Sequence, residues 1–235
     1  MEIPKHLESA VRKALYDYEM LQETRVAVAL SGGKDSLTLL HVLRAISGRG
    51  FAELELMAIH VGGEFSCGAG VSEGYLRRFC DELRVPFVVK YSTQKLEKLE
   101  CYSCSRERRR LLFEAAKEAG MTTVAFGHHR DDSTQTLLMN LLHKGEFAAN
   151  LPKVRMHDYG VTLIRPLILV SENEIKEFAR RAGFLRILCQ CPVGQNSMRK
   201  QTDRLLDEIQ ALFPNARENI ARAGLIYGSN KANVK

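Results

Sequence analysis

Ser31-Gly32-Gly33-Lys34-Asp35-Ser36 follows Thr24-Arg25-Val26-Ala27-Val28-Ala29-Leu30, a β-branched, apolar run. After it, Leu37, Leu39, Leu40 and Leu43 recur at helical spacing. A strand that turns through two glycines into a helix makes an anion site. Glycines let the backbone approach a phosphate, and the helix start presents unpaired N–H groups at the positive end of its dipole. Lys34 adds a point charge, and Ser31 and Ser36 add hydroxyls. The spacing is not that of a Walker A loop, which needs four residues between its first glycine and its Gly-Lys pair. Nor is it the Gly-x-Gly-x-x-Gly dinucleotide fingerprint. The bland alternative is a plain glycine turn capped by Asp or Ser.

Outward from this turn, the same alternation continues. Strands are expected at 24–30, 54–61, 86–91, 122–126 and 161–164, with helical patterns at 5–20, 37–47, 71–84, 104–119 and 131–143. The stretches 92–103 and 144–160 read as loops, and the end of the chain is helical at 172–182, 197–212 and 215–225. Strands alternating with helices predict βαβ units and an α/β fold: a parallel five-stranded sheet, helices on both faces, and a helical C-terminal appendage. Ligands in such sheets bind beyond the carboxyl ends of the strands. The loop at 31–36, the glycine-rich segment at 62–70 and the motif at 127–132 all follow strand ends and should converge. Three segments are expected: an N-terminal helix over 1–22, the main domain over 23–190, and a helical tail over 191–235.

The chain has 235 residues, 45% hydrophobic and 26% charged, enough for a sizeable core without staples. No apolar run approaches the length that spans a bilayer, and Met1-Glu2-Ile3-Pro4-Lys5-His6 lacks a signal peptide's apolar core. A cytoplasmic protein with no membrane partner is expected. The net charge of +6 permits a polyanionic partner.

The six cysteines do not read as a disulfide framework in such a chain. Cys101-Tyr102-Ser103-Cys104 opens a helix, and Cys189-Gln190-Cys191 precedes another. Thiolates at helix starts are stabilised by the dipole. Four sulfurs suit zinc, three suit an iron–sulfur cluster with one iron open, and the pair alone suits redox chemistry. Spacing leaves these three open, beside unliganded thiols. Arg106, Arg108, Arg109 and Arg110 oppose the dipole of the helix that Cys104 opens; a thiolate, cluster or phosphate would offset that cost. Cys80, among Leu76, Phe79 and Leu83, reads as core; Cys67 receives no role.

The hexapeptide at 31–36 resembles the pyrophosphate loop of the PP-loop ATP-pyrophosphatase superfamily. With Cys101-x-x-Cys104, a late cysteine, Gly127-His128-His129-Arg130-Asp131-Asp132 and Ile164-Arg165-Pro166-Leu167, residues 24–205 resemble the tRNA 2-thiolation enzymes. The likeness is greatest to the 2-thiocytidine branch; the cysteine pairs that the 2-thiouridine-54 branch carries at its ends are not seen. The resemblance implies a Rossmann-like, adenine nucleotide alpha hydrolase-like domain binding ATP and Mg²⁺. It implies a [4Fe–4S] cluster on Cys101, Cys104 and Cys191, with Cys189 as the alternative, the fourth iron free to hold a sulfide. The late pair has one intervening residue where the family carries two.

On this resemblance, ATP is bound by Ala29, Ser31, Gly32, Gly33, Lys34, Asp35, Ser36, Ile59 and Gly127, with the backbone near Ala58, Ile59 and His60 framing the adenine. The C2 carbonyl of a pyrimidine, cytidine 32 in the anticodon loop, attacks the α-phosphate; pyrophosphate leaves onto the loop, and sulfide displaces AMP. Asp131 is expected to orient magnesium or move a proton, and Asp132 to cap the next helix. Asp35 reads equally as N-cap or metal ligand. Arg108 is expected to stabilise adenylate or phosphate charge, and Arg199, Lys200 and Arg204 to contact RNA phosphates. Partners implied are tRNA, a sulfur donor such as a cysteine desulfurase or free sulfide, and a second copy of the chain. Two other readings stand beside this one. One is a superfamily member that adds a nitrogen nucleophile, such as a lysidine synthetase or amidotransferase. The other is a non-catalytic ATP-binding module with structural zinc.

Overall fold

The computed structural model describes residues 2–63, 72–93, 101–184 and 198–229, with the side chains of Cys101 and Tyr102 left aside. Cys67, Cys189 and Cys191 lie outside the described residues, as does the boundary expected at 190.

Six strands form one sheet in the order β3-β2-β1-β4-β6-β5. They are β1 (Arg25–Ala29), β2 (Glu55–Gly62), β3 (Phe87–Tyr91), β4 (Thr123–Ala125), β5 (Lys153–Met156) and β6 (Val161–Ile164). The first four and β6 are parallel, with Val28 beside Ala58 on one side and Ala125 on the other. The sheet is therefore the expected doubly covered α/β sheet plus one strand. The extra strand, β5, runs antiparallel to β6 along the edge, with Val154 opposite Leu163. It falls inside the stretch read as a loop. Lys153-Val154-Arg155-Met156 offers only two apolar residues, between charged ones. An edge strand needs one buried face, and only Val154 in β5 is fully buried.

Alternation along the central strands sorts the core into two layers. Val26, Val28, Leu56 and Ala58 face one side, packed with helices α1 (Lys5–Asp17), α2 (Lys34–Ile46), α3 (Glu73–Glu82) and α6 (Glu172–Arg181). Ala27, Met57, Ile59 and Val61 face the other, against Leu112, Phe113 and Ala116 of α4 (Cys101–Glu118). Because both faces are covered, β1 and β2 read as near-continuous apolar runs. The α4 helix begins at Cys101, one turn before the expected start at 104.

Helices α7 (Met198–Leu212) and α8 (Ala216–Tyr227) pack on α5 (Arg130–Lys144). Gln135 Nε2 donates to Asp203 Oδ1 at 2.9 Å, and Arg217 reaches Asp203, Asp207 and Asp131 at 3.0, 2.7 and 3.7 Å. Gly224 lets α8 come close: a Cβ there would stand 3.1 Å from that of Ala149. Among the described residues no helix is long and apolar enough to cross a membrane.

Candidate active site at the carboxyl edge of the sheet

The turn at 31–36 leaves β1 and closes on itself. Gly32 has φ +85°, a conformation that glycine adopts without penalty. Ser36 Oγ accepts from Gly32 N at 3.1 Å and donates to Gly33 O at 2.9 Å; Ser31 Oγ accepts from Gly33 N at 3.3 Å. Gly33 is the N-cap of α2, so Lys34 and Asp35 occupy its first turn. The serines thus serve as internal braces of the loop as well as hydroxyls beside it.

Lys34 is held between two carboxylates. Its Nζ lies 2.9 Å from Asp35 Oδ1 and 3.2 Å from Glu172 Oε1. Burial acts to lower the ammonium pKa, but Asp35 and then Glu172 outweigh it and hold it above the usual value. Glu172 enters the site because α6 starts there. Ser171 and Glu174 form a reciprocal cap, with Ser171 Oγ accepting from Glu174 N and Ser171 N donating to Glu174 Oε2 at 2.8 Å. Such caps contribute about 1 kcal/mol. The Ser-x-x-Glu pattern is visible in the sequence; its position beside residues 31–36 is not.

Gly127 follows β4 and touches the turn. A Cβ on Gly127 would lie 3.0 Å from the Asp35 carbonyl carbon and 3.1 Å from Ser36 N. Both are backbone atoms, so the loop itself would have to move. Gly127→Ala is expected to weaken ATP binding about tenfold and to cost about 1–3 kcal/mol of stability, as overpacking does; calorimetric titration and denaturant unfolding check it.

After Gly127 the chain enters α5. Asp132 Oδ2 accepts from His129 N at 3.1 Å: His129 is the N-cap of α5, and Asp132 caps it from the third helical position. Asp131 is buried, and both its oxygens are engaged. Oδ2 accepts from Glu172 N at 2.8 Å, while Oδ1 stands 3.7 Å from Arg217. Asp131 therefore ties the β4 loop to the start of α6. His129 Nε2 lies 3.8 Å from Asp35 and 3.4 Å from Asp132, between the two loops.

On the other side of the turn, Leu30 N donates to Ile59 O at 2.8 Å, and Leu30 O accepts from His60 Nδ1 at 2.7 Å. The Ile59 side chain is wholly buried against α4; its carbonyl is taken by Leu30. Ala29 pairs with Ile59 where β1 ends; β2 continues to Gly62. Burial holds the His60 imidazole below its usual pKa; the Leu30 bond opposes this and Arg108 adds to it.

Arg108 thus brings α4 to the same edge. Its Nε is buried with no hydrogen-bond partner among the described residues. Cys104, one helical turn earlier, is half-buried, and the first turn of α4 carries no acidic residue. This donor environment fits a thiolate-bound cluster: a helix start, local positive charge, and an unsatisfied guanidinium nitrogen. Among the described residues no three potential ligands gather; the Cys101 side chain and the late cysteines lie outside them. Cys80 behaves as expected of core. Burial, with Asp81 adding, pushes its thiol up to about 12. The residues that sequence reasoning missed or left without a role are Glu172 and Arg165.

A glycine turn of this kind, on a parallel sheet and facing the strand ends, defines a PP-loop nucleotide-binding protein. The PP-loop domain family model matches residues 4–185. The tRNA-cytidine(32) 2-sulfurtransferase of Anaeromyxobacter dehalogenans is 36% identical over 228 residues, covering 94% of this chain and 79% of that protein. The enzyme of the same name from Coxiella burnetii is 35% identical over 231 residues, 94% and 89% of the two chains. The fold is also that of the U34-tRNA thiolase NcsA from Methanococcus maripaludis, solved with its [4Fe-4S] cluster. That match has a TM-score of 0.78 and 23% identity over 98% of this chain and 82% of that one. The chain belongs to the PP-loop ATP-pyrophosphatase family, in its tRNA 2-thiolation branch.

Proposed function

We propose that this chain is an ATP-dependent tRNA 2-thiolation enzyme that replaces the C2 oxygen of a pyrimidine, cytidine 32 by the relatives' names, with sulfur. The observation that carries this is convergence. The anion-binding turn, the cysteine-bearing start of α4 and Arg108 meet at one edge of the sheet.

A pyrimidine C2 carbonyl is a poor electrophile with a poor leaving group. Attack of its oxygen on the α-phosphate of ATP forms an O-adenylate and releases pyrophosphate. The N–H groups of the turn and the Lys34 ammonium bind the departing pyrophosphate, where charge develops. Asp35 would hold Mg²⁺ together with phosphate oxygens. Arg108, its Nε unsatisfied, neutralises charge on the adenylate. Asp131 positions the start of α6, and with it Glu172, against Lys34. A sulfide then attacks C2, the C2–O bond breaks, and AMP leaves with the former carbonyl oxygen. Cys101, Cys104 and Cys191, or Cys189 in its place, would hold the [4Fe–4S] cluster, whose open iron supplies a nucleophilic sulfur when bound. The solved thiolase that shares this fold carries such a cluster.

The test is protein purified without oxygen, assayed for iron, zinc, acid-labile sulfide and RNA-dependent AMP release, with mass analysis of the RNA. About four irons and four sulfides per chain, and one oxygen-to-sulfur exchange per RNA, are expected. One zinc without sulfide, with AMP release but no sulfur in the RNA, would sink thiolation in favour of nitrogen transfer. ATP binding without pyrophosphate release would favour a binding module.

A further inference from the structure

The C-terminal helices reach the nucleotide site through one side chain, Arg217. It stands in the first turn of α8, and its carbonyl accepts from Thr134 Oγ1 of α5 at 3.1 Å. The guanidinium is shared between two helices. Nη2 donates to the carbonyl and Oδ1 of Asp203 at 3.1 and 3.0 Å and to Asp207 Oδ1 at 2.7 Å, all on α7. Nη1 faces Asp131 Oδ1 of α5 at 3.7 Å. The Thr134 bond and the α7 acids already fasten α8 to its neighbours. The contact with Asp131 reaches further.

Asp131 is buried, and its other oxygen accepts at 2.8 Å from the N–H of Glu172, the first residue of α6. A carboxylate there also meets the positive end of the α6 dipole. Glu172 in turn holds Lys34 at 3.2 Å. A path thus runs from α8 to the turn at 31–36 through Arg217, Asp131, Glu172 and Lys34. The side chains of Arg217 and Asp131 are only 14% and 10% exposed. Charges at that depth are weakly screened, and removing one partner leaves the other buried and uncompensated. A neutral residue at 217 therefore acts on Asp131 and, through its bond to Glu172 N, on the start of α6.

We infer that Arg217 is a positioning residue of the nucleotide site: through Asp131 it fixes the first turn of α6, and so the grip of Glu172 on Lys34. The inference rests on the reading of residues 31–36 as the ATP site and not on the fate of the sulfur. A guanidinium suits this place because its two outer nitrogens serve separate carboxylates at once, whereas a lysine ammonium is a single point charge.

The experiment follows amide hydrogen exchange by mass, peptide by peptide, in the nucleotide-free full chain and in its Arg217→Gln, Asp131→Asn and doubly substituted variants. ATP binding is measured by calorimetric titration in the same proteins and in Glu172→Gln, alone and combined with Arg217→Gln. Arg217→Gln is expected to speed exchange at the start of α6 about tenfold, the measure of one weakened hydrogen bond to a charged group. Adding Asp131→Asn is expected to bring that exchange back toward wild type. An asparagine carbonyl still accepts from Glu172 N, and no buried charge is left behind. The ATP dissociation constant is expected to move by about twofold in the direction that Glu172→Gln moves it. In the Glu172→Gln background Arg217→Gln is expected to add less than about 1.5-fold, since residues on one path do not act additively. If Arg217→Gln does not fold, Arg217→Lys, which keeps a charge beside Asp131, carries the same readings with a smaller rise. Faster exchange confined to α7 and α8 would make Arg217 a fastening of those helices alone and overturn the inference. So would an ATP shift that adds in full to that of Glu172→Gln. Failure of the wild type to bind ATP would overturn the reading of the turn beneath it, while exchange at α6 would still decide the link from Arg217.

Discussion

Cys104→Ala is expected to stop sulfur incorporation into RNA while RNA-dependent AMP release continues. The expected loss of thiolated product is more than about a hundredfold, beyond what removal of an outer partner of a metal site costs. The two half-reactions use different parts of the edge. On the proposed mechanism adenylation draws on the turn at 31–36, on Gly127 and on Arg108, none of which supplies a sulfur ligand. The cysteine sits half-buried in the first turn of that helix, where no acidic residue competes for the dipole. Cys80→Ala is the contrast. Its thiol lies in the core with Leu76 and Phe79 and is pushed up to about 12 by burial, so it is chemically quiet. Its loss is expected to cost about 1 kcal/mol, as for one deleted buried methyl group, with sulfur transfer unchanged. Mass analysis of the RNA and denaturant unfolding separate the two variants. Equal thiolation by Cys104→Ala and wild type would remove the cysteine pair from the chemistry.

The turn, the helix start at the cysteines and the Gly-His-x-x-Asp-Asp segment were legible because each is local. Their residue types, spacing and place between periodic segments lie within a few positions of one another. The rule that ligands bind beyond the carboxyl ends of parallel strands then placed the turn and the Gly-His-x-x-Asp-Asp segment at one edge. What escaped was long-range. Glu172 meets Lys34 only because α6 packs beside α2, and nothing in Ser171-Glu172-Asn173-Glu174 announces more than a helix cap. Arg165 was visible within a motif, but its partner His128 is 37 residues away in sequence, joined through adjacent strands β4 and β6. Asp131 reads as a catalytic carboxylate by motif; the structure gives it a backbone N–H and an arginine as neighbours. The strand β5 escaped for a different reason. A four-residue edge strand with one buried side chain leaves almost no periodic signal.

Lys34→Ala is expected to lower RNA-dependent pyrophosphate release by about 10²–10³-fold, the range found when one preorganised charge-stabilising donor is removed. ATP binding should weaken less, because the N–H groups of the turn remain and hold the phosphates in the ground state. The larger effect on turnover follows if the ammonium matters most as charge builds on the departing pyrophosphate. Without ATP, Lys34 is satisfied by Asp35 and Glu172. Glu172 has a second cation at hand, Lys176, 2.9 Å from its other oxygen. Binding a triphosphate therefore asks Lys34 to exchange a carboxylate for phosphate oxygens, and Glu172 can release it at small cost. Glu172→Gln removes that competition. Because the pair is about one-third exposed, the gain is limited to roughly 0.3–1 kcal/mol, a two- to fivefold tighter ATP dissociation constant. Opposite shifts in the two variants, read by calorimetric titration and by single-turnover pyrophosphate release, would establish that Glu172 holds the lysine in place until ATP arrives. Weaker ATP binding in Glu172→Gln would instead make the carboxylate part of the nucleotide's own cradle.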